Sequence, residues 1–104
     1  MIAKGKENIF SIENLFGSKA RLKILKVLTV NAEMSITQII KKTSLNHSSV
    51  KKHLNCLKAL NLVQEKAFGR IRIYRYKVEN LKANSLKNFI EIWENRTYNN
   101  DPPY

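Results

Sequence analysis

Apolar positions along the chain follow a helical period three times, alternate once, and then return to the helical period. From Ser18, an N-cap candidate, the run KARLKILKVL sets Leu22, Leu25 and Leu28 on one stripe, which Ile24 and Val27 widen. This spacing predicts a helix with a broad buried face. After Asn31, Ser35 precedes Gln38 by three residues in the manner of a capping box, and Ile36, Ile39 and Ile40 form an i, i+3, i+4 stripe. A short second helix is expected, ending near Thr43, with Leu45 as an apolar plug in the polar turn that follows. Asn46 is the expected cap of a third helix, His47 to Leu60, whose inward face is Val50, Leu54 and Leu57, joined less regularly by Cys56 and Leu60. Its other face holds Ser48, Ser49, Lys51, Lys52, Asn55 and Lys58, and Asn61 tolerates the left-handed conformation that ends many helices.

The period then changes. Leu62 to Lys66 and Arg72 to Val78, rich in β-branched and aromatic residues around Phe68-Gly69-Arg70, read as a hairpin with arginines at its tip. Beyond Asn80, Leu86, Phe89, Ile90 and Trp93 recur at i, i+3, i+4, i+7, with Ile92 beside them. The order helix, helix, turn, helix, hairpin, helix is that of a winged helix-turn-helix. The expected fold is mainly α with a small β-hairpin: helices, a two-stranded wing and a C-terminal dimerisation helix. Residues 1–80 would form the winged-helix unit, 81–98 the dimerisation helix and 99–104 a disordered tail.

With 104 residues and 43% hydrophobic content, the chain has the material for one core. No run is long and apolar enough to span a bilayer, and the opening MIAKGKENIFSIENLF is broken by charges, so no membrane partner and a cytoplasmic, nucleoid-associated location are expected. A single cysteine, Cys56, excludes an intramolecular disulfide and, with only His47 and His53 beside it, gives no zinc set; it is either a packing thiol or an intermolecular disulfide. No metal and no cofactor are expected. There is also no Gly-rich phosphate loop and no carboxylate pair in an apolar setting, which argues against an enzyme. Charge is the more informative quantity. The net charge is +11, and it is concentrated: residues 1–78 hold sixteen basic against four acidic side chains, while 79–104 hold three against four. Lys41 to Lys77 alone has ten bases and one acid, Glu65. Such a field attracts polyanions, either nucleic acid or an anionic surface, unless it is only a solvated lysine-rich face.

The segments LFGSKARLKILKVL, EMSITQIIKKTSLNHSSVKKHLNCLKALNLV and the hairpin containing YRY together resemble the ArsR-type family of bacterial and archaeal transcription regulators, over about Leu15 to Val78. The most specific part is Ser48-Ser49-Val50-Lys51-Lys52-His53-Leu54, similar to the recognition helix of that family. Two departures stand out. Ser44 occupies a turn position where the family often has glycine, at a cost of about 1 kcal/mol if φ is positive there. Where metal-sensing members have two cysteines, the stretch Glu33-Met34-Ser35-Ile36-Thr37-Gln38 has Ser35 and Thr37, poor ligands for soft metals.

For DNA, a helix must enter a major groove about 12 Å wide with short polar side chains near its backbone. His47, Ser48 and Ser49 would position the third helix on phosphate at its N-terminus. Lys51, Lys52 and Asn55, a turn further on, would read bases if anything does, the alternative for the lysines being phosphate contact or solvation. Arg70 and Arg72 at the wing would enter a minor groove or clamp phosphate. His53 is expected at the edge of the core, and Tyr74 and Tyr76 are expected to pack. Leu86, Phe89, Ile90 and Trp93 are the expected dimer interface, with help from residues 1–16, notably Ile9, Phe10, Leu15 and Phe16; the alternative is that Trp93 and its neighbours fold back on their own domain. Three functional readings result: a homodimeric, sequence-specific repressor on double-stranded DNA, an architectural, chromatin-like DNA coater, or a winged-helix module for protein or RNA.

Overall fold

In the structure, a computed structural model that describes residues 11–94, the elements run α1 (Ile12–Phe16), α2 (Lys19–Asn31), β1 (Glu33–Ser35), α3 (Ile36–Thr43), α4 (His47–Ala59), β2 (Val63–Phe68), β3 (Ile71–Tyr76) and α5 (Leu81–Glu94). The helix starts are set by local chemistry. Ser18 Oγ accepts the Arg21 N–H at 3.1 Å, Asn46 Oδ1 accepts the Ser49 N–H at 2.8 Å, and Ser35 and Gln38 exchange both bonds of a capping box. The helix ends are abrupt. Ser44 (φ 62°) and Asn61 (φ 64°) both take the left-handed turn, so the serine at the family's glycine position does sit in a strained conformation.

Two elements go beyond the expected order. α1 is a single short turn capped by Ser11, whose side chain accepts the Asn14 N–H at 3.1 Å. It meets α2 at Gly17, where a Cβ would lie 2.8 Å from the Glu13 carbonyl oxygen; only glycine allows this corner. β1 adds a third strand, pairing antiparallel with β3 (Met34 opposite Tyr74), so the sheet has the order β1-β3-β2. The two-stranded wing is therefore the free end of a three-stranded sheet. Its turn is Gly69-Arg70, with Gly69 at φ 62°, the conformation that a two-residue hairpin asks of glycine.

One core joins these elements. Ile24, Leu25 and Leu28 of α2 meet Ile39 of α3, Val50, Leu54 and Leu57 of α4, and Tyr74 and Tyr76 of β3. Tyr76 is both packed and bonded: its hydroxyl donates to the Ala83 carbonyl at 2.7 Å and so ties α5 to the sheet. Ala83 and Ile90 turn the inner side of α5 onto the same core.

Candidate nucleic-acid interface

α4 separates cleanly into two faces. Val50, His53, Leu54 and Leu57 are buried, whereas His47, Ser48, Lys52, Asn55 and Lys58 are exposed and Ser49 and Lys51 are half-buried. α3 and the turn after it brace the start of α4. Thr43 Oγ1 donates to the Ile39 carbonyl at 2.7 Å, the Ser44 N–H reaches the Ile40 carbonyl at 2.8 Å, and half-buried Leu45 packs on the core. At the N-terminus, Ser48 Oγ donates to Asn46 Oδ1 at 3.1 Å. The exposed Ser48 hydroxyl is therefore organised by the cap.

Ion pairing sorts the cations of this face into two groups. Glu65 on β2 binds both Lys58 at the end of α4 and Arg72 on β3, and these contacts hold its carboxyl below the usual glutamate range. Lys66 pairs with Glu33 at 3.0 Å, and Arg75 forms hydrogen bonds to Gln64 and pairs with Glu79 at 2.8 Å, pushing the Glu79 carboxyl down to about 2. Among the described residues, Lys41, Lys42, Lys51, Lys52 and Arg70 have no ion-pair partner. Among the described residues, unneutralised charge therefore lies on α3, the middle of α4 and the wing tip, and also at Lys19 and Lys23 of α2, Lys77 and Lys82. Arg72, expected with Arg70 to enter a minor groove or clamp phosphate, is ion-paired: alternation along the hairpin puts it on the same face as Glu65. Sequence spacing alone did not reveal this role of Glu65, because it depends on strand register. Tyr74, opposite Glu65, is fully buried.

Beneath the exposed face, His53 joins α4 to the helices before it. It is 8% exposed, and its Nδ1 accepts from Arg21 Nε at 3.3 Å; Arg21 Nη1 donates in turn to the Asn14 carbonyl and Oδ1 at 2.9 and 2.8 Å. Burial, then Arg21 and Lys52, lower the imidazole's pKa, so His53 is held neutral as an acceptor.

The C-terminal helix divides the four residues expected at a dimer interface. Ile90, at 7% exposure, is part of its own protomer's core, because Ala83 and Ile90 share the side of α5 that faces the sheet; Leu86 is half-buried against that core. Phe89 and Trp93 (75% exposed) face outward with Ile92. The rings form a strip, Phe16 to Phe89 at 6.4 Å and Phe89 to Trp93 at 5.8 Å, beside a groove of about 590 Å³ between α1 and α5 lined by Ile12, Leu15, Leu60 and Leu81. Ile9, Phe10, residues 95–98 and the tail 99–104 lie outside the described residues. Cys56 is half-buried and unbonded to another cysteine. Among the described residues no His, Cys, Asp and Glu cluster could hold a metal, and no helix is long and apolar enough to cross a membrane.

Residues 18–65 match the family model of the bacterial regulatory protein arsR family. No curated protein sequence matches the chain. Among solved structures, the fold is similar to an ArsR-like transcriptional regulator from Rhodococcus sp. RHA1 (TM-score 0.60, 27% identity, covering 85% of this chain and 84% of that one). It is similar also to the transcriptional repressor PagR of Bacillus anthracis (0.63, 23%, 76% and 86%). A third is the homodimeric winged helix-turn-helix DNA-binding domain Mb0332 from Mycobacterium bovis (0.64, 19%, 89% and 84%). The fold is a winged helix-turn-helix.

Proposed function

From a winged helix-turn-helix whose residues 18–65 are of the arsR type, we propose that this protein is a homodimeric transcriptional regulator that represses by occupying double-stranded DNA. The observation that carries the reading is the outward face of α4. His47, Ser48 and Ser49 stand at its N-terminus, which Asn46 caps, Lys51, Lys52 and Asn55 follow on the same side, and neither lysine is neutralised by an acid. This is the arrangement that a helix in the major groove needs, with phosphate-positioning groups at its start and base-edge donors one turn along. Arg70 extends the contact from the wing to a neighbouring groove, while Arg72 supports the wing through Glu65 and reaches phosphate only by leaving that partner.

Dimerisation follows from α5. Phe89 and Trp93 leave a continuous aromatic strip in water, which an isologous contact across a two-fold axis covers, with Leu86 and Ile90 supporting it from beneath. Two copies of α4 then meet successive major grooves about 34 Å apart. In this reading the chain up to residue 80 acts as the DNA-binding unit and α5 as the dimer helix. The structural neighbours are DNA-binding regulators, not enzymes, which supports a role without catalysis.

Selection of bound fragments from random duplexes tests this. An enriched inverted repeat with half-sites one helical turn apart, lost in Lys51→Ala, is the expected result. Binding without enrichment would favour the architectural reading, for which the net charge of +11 provides the sequence-independent affinity. No binding to duplex at low salt would leave a protein or RNA module.

A further inference from the structure

The end of the wing is apolar as well as basic. Phe68 and Ile71 are 60% and 57% exposed, and every residue from Ala67 to Arg72 is exposed, so the tip stands clear of the core. Phe68 and Ile71 are direct cross-strand partners flanking the Gly69-Arg70 turn, which puts both side chains on one face of the ribbon. That face is opposite the one bearing Glu65, Arg72, Tyr74 and Tyr76, so neither side chain can retreat into the core without reversing the register. Between them Arg70 has no ion-pair partner among the described residues. A two-residue turn that ends on a phenylalanine and an isoleucine leaves two large apolar groups in water where polar turn residues would serve.

Resting on the DNA-binding reading above, we propose that Phe68 and Ile71 form a wedge that enters the minor groove beside Arg70 and opens a base step. Charge favours nucleic acid as the partner. Arg70 adds an unpaired cation to those of α4, and an anionic groove is the surface on which an arginine and apolar groups are useful together. Arg70 is drawn into the narrow, strongly negative minor groove of A·T-rich DNA. The apolar pair supplies what a guanidinium cannot, contact with unstacked base faces, and pyrimidine–purine steps such as TpA yield to it most readily. Wedge residues read deformability, so specificity would arise at base pairs that α4 never touches. The hairpin is suited to the task, since Glu65 locks Arg72 and Lys58 behind it and fixes the direction in which the tip points.

The test uses the full chain and an A·T-rich duplex of about 30 base pairs with TpA steps, 2-aminopurine at one TpA adenine and dyes at the two ends. Wild-type protein is expected to raise 2-aminopurine emission and shorten the end-to-end distance. The Phe68→Ser, Ile71→Ser double variant should keep the wild-type melting temperature, since both positions are exposed. It should bind the duplex about tenfold more weakly and lose both optical signals, and Phe68→Leu should restore them. Wild-type binding with no change in emission, or full signals from the double variant, would overturn the wedge while leaving the DNA-binding reading intact. Altered sedimentation of the free double variant with unchanged DNA signals would assign the tip to contact between copies and likewise overturn it. Absence of wild-type duplex binding at low salt would remove both readings together.

Discussion

Ser44 and His53 show how single side chains in this fold trade local comfort for position. Ser44 holds φ 62° so that α3 can stop and α4 can start after two further residues. Glycine would take that conformation without Cβ strain, so Ser44→Gly is expected to stabilise the protein by about 1 kcal/mol, raising the melting temperature by about 4–8 °C; calorimetry at neutral pH checks it. His53 makes a pH-dependent contribution of definite sign. Its pKa in the folded protein lies below its ordinary 6.5, so the unfolded chain takes up the proton first. The stability is fully present above 6.5 and is lost as pH falls from there through the lowered folded value. Protonation would also set an imidazolium against the Arg21 guanidinium that it accepts from, with Lys52 close by. Urea unfolding at about pH 8 and about pH 5 should show the loss in wild type and a smaller one in His53→Gln, which keeps an acceptor but does not titrate.

At the scale of elements, α4 has a buried side and an exposed polar side, and substitutions should separate the two. Leu57→Ala empties a fully buried site and should cost about 2–5 kcal/mol in chemical denaturation, whereas Lys52→Ala should leave stability unchanged and weaken only DNA binding. Glu65 couples α4 to the wing. Glu65→Gln releases Lys58 and Arg72, and on duplex DNA the dependence of log K on log salt should steepen by about 0.9 for each released cation that reaches a phosphate; fluorescence anisotropy across a salt series measures it. α2, α3 and α4 could be read in the sequence because caps and 3.6-residue stripes are local: Ser18, Ser35 and Asn46 each act on a backbone N–H three residues away. β1 could not, since three residues carry no period and its partner strand lies far along the chain. The pairing of Arg72 was hidden because it depends on which face of the hairpin Glu65 shares, and that requires the register. Ile90 fitted the stripe of a dimer helix but lies on its inner edge, since a helical stripe does not reveal which of two partners each edge meets.

At the scale of the whole molecule, charge and exposed aromatic surface fall on different elements. Basic side chains outnumber acidic ones from α2 through β3, while α5, with Phe89 and Trp93 exposed, has as many acids as bases. A like-charged pair of subunits can therefore associate through the element that repels least. Trp93→Ser with Phe89→Ser should shift sedimentation toward the monomer and leave the helical circular dichroism intact, because the core beneath is closed by Ala83, Leu86 and Ile90. Loss of dimer would also reduce affinity for a two-half-site duplex far more than for a single half-site. If unpaired cations on α4 and the wing tip hold duplex DNA, they set the salt dependence of binding. This is measured on an enriched duplex for wild type, Lys52→Ala and Arg70→Ala, with the surface lysine Lys87, paired to Glu91 on α5, replaced as a control. The slope is expected to be shallower by about 1 per protomer in the first two variants and unchanged in Lys87→Ala. Equal slopes in all four proteins would show that these cations do not touch the duplex.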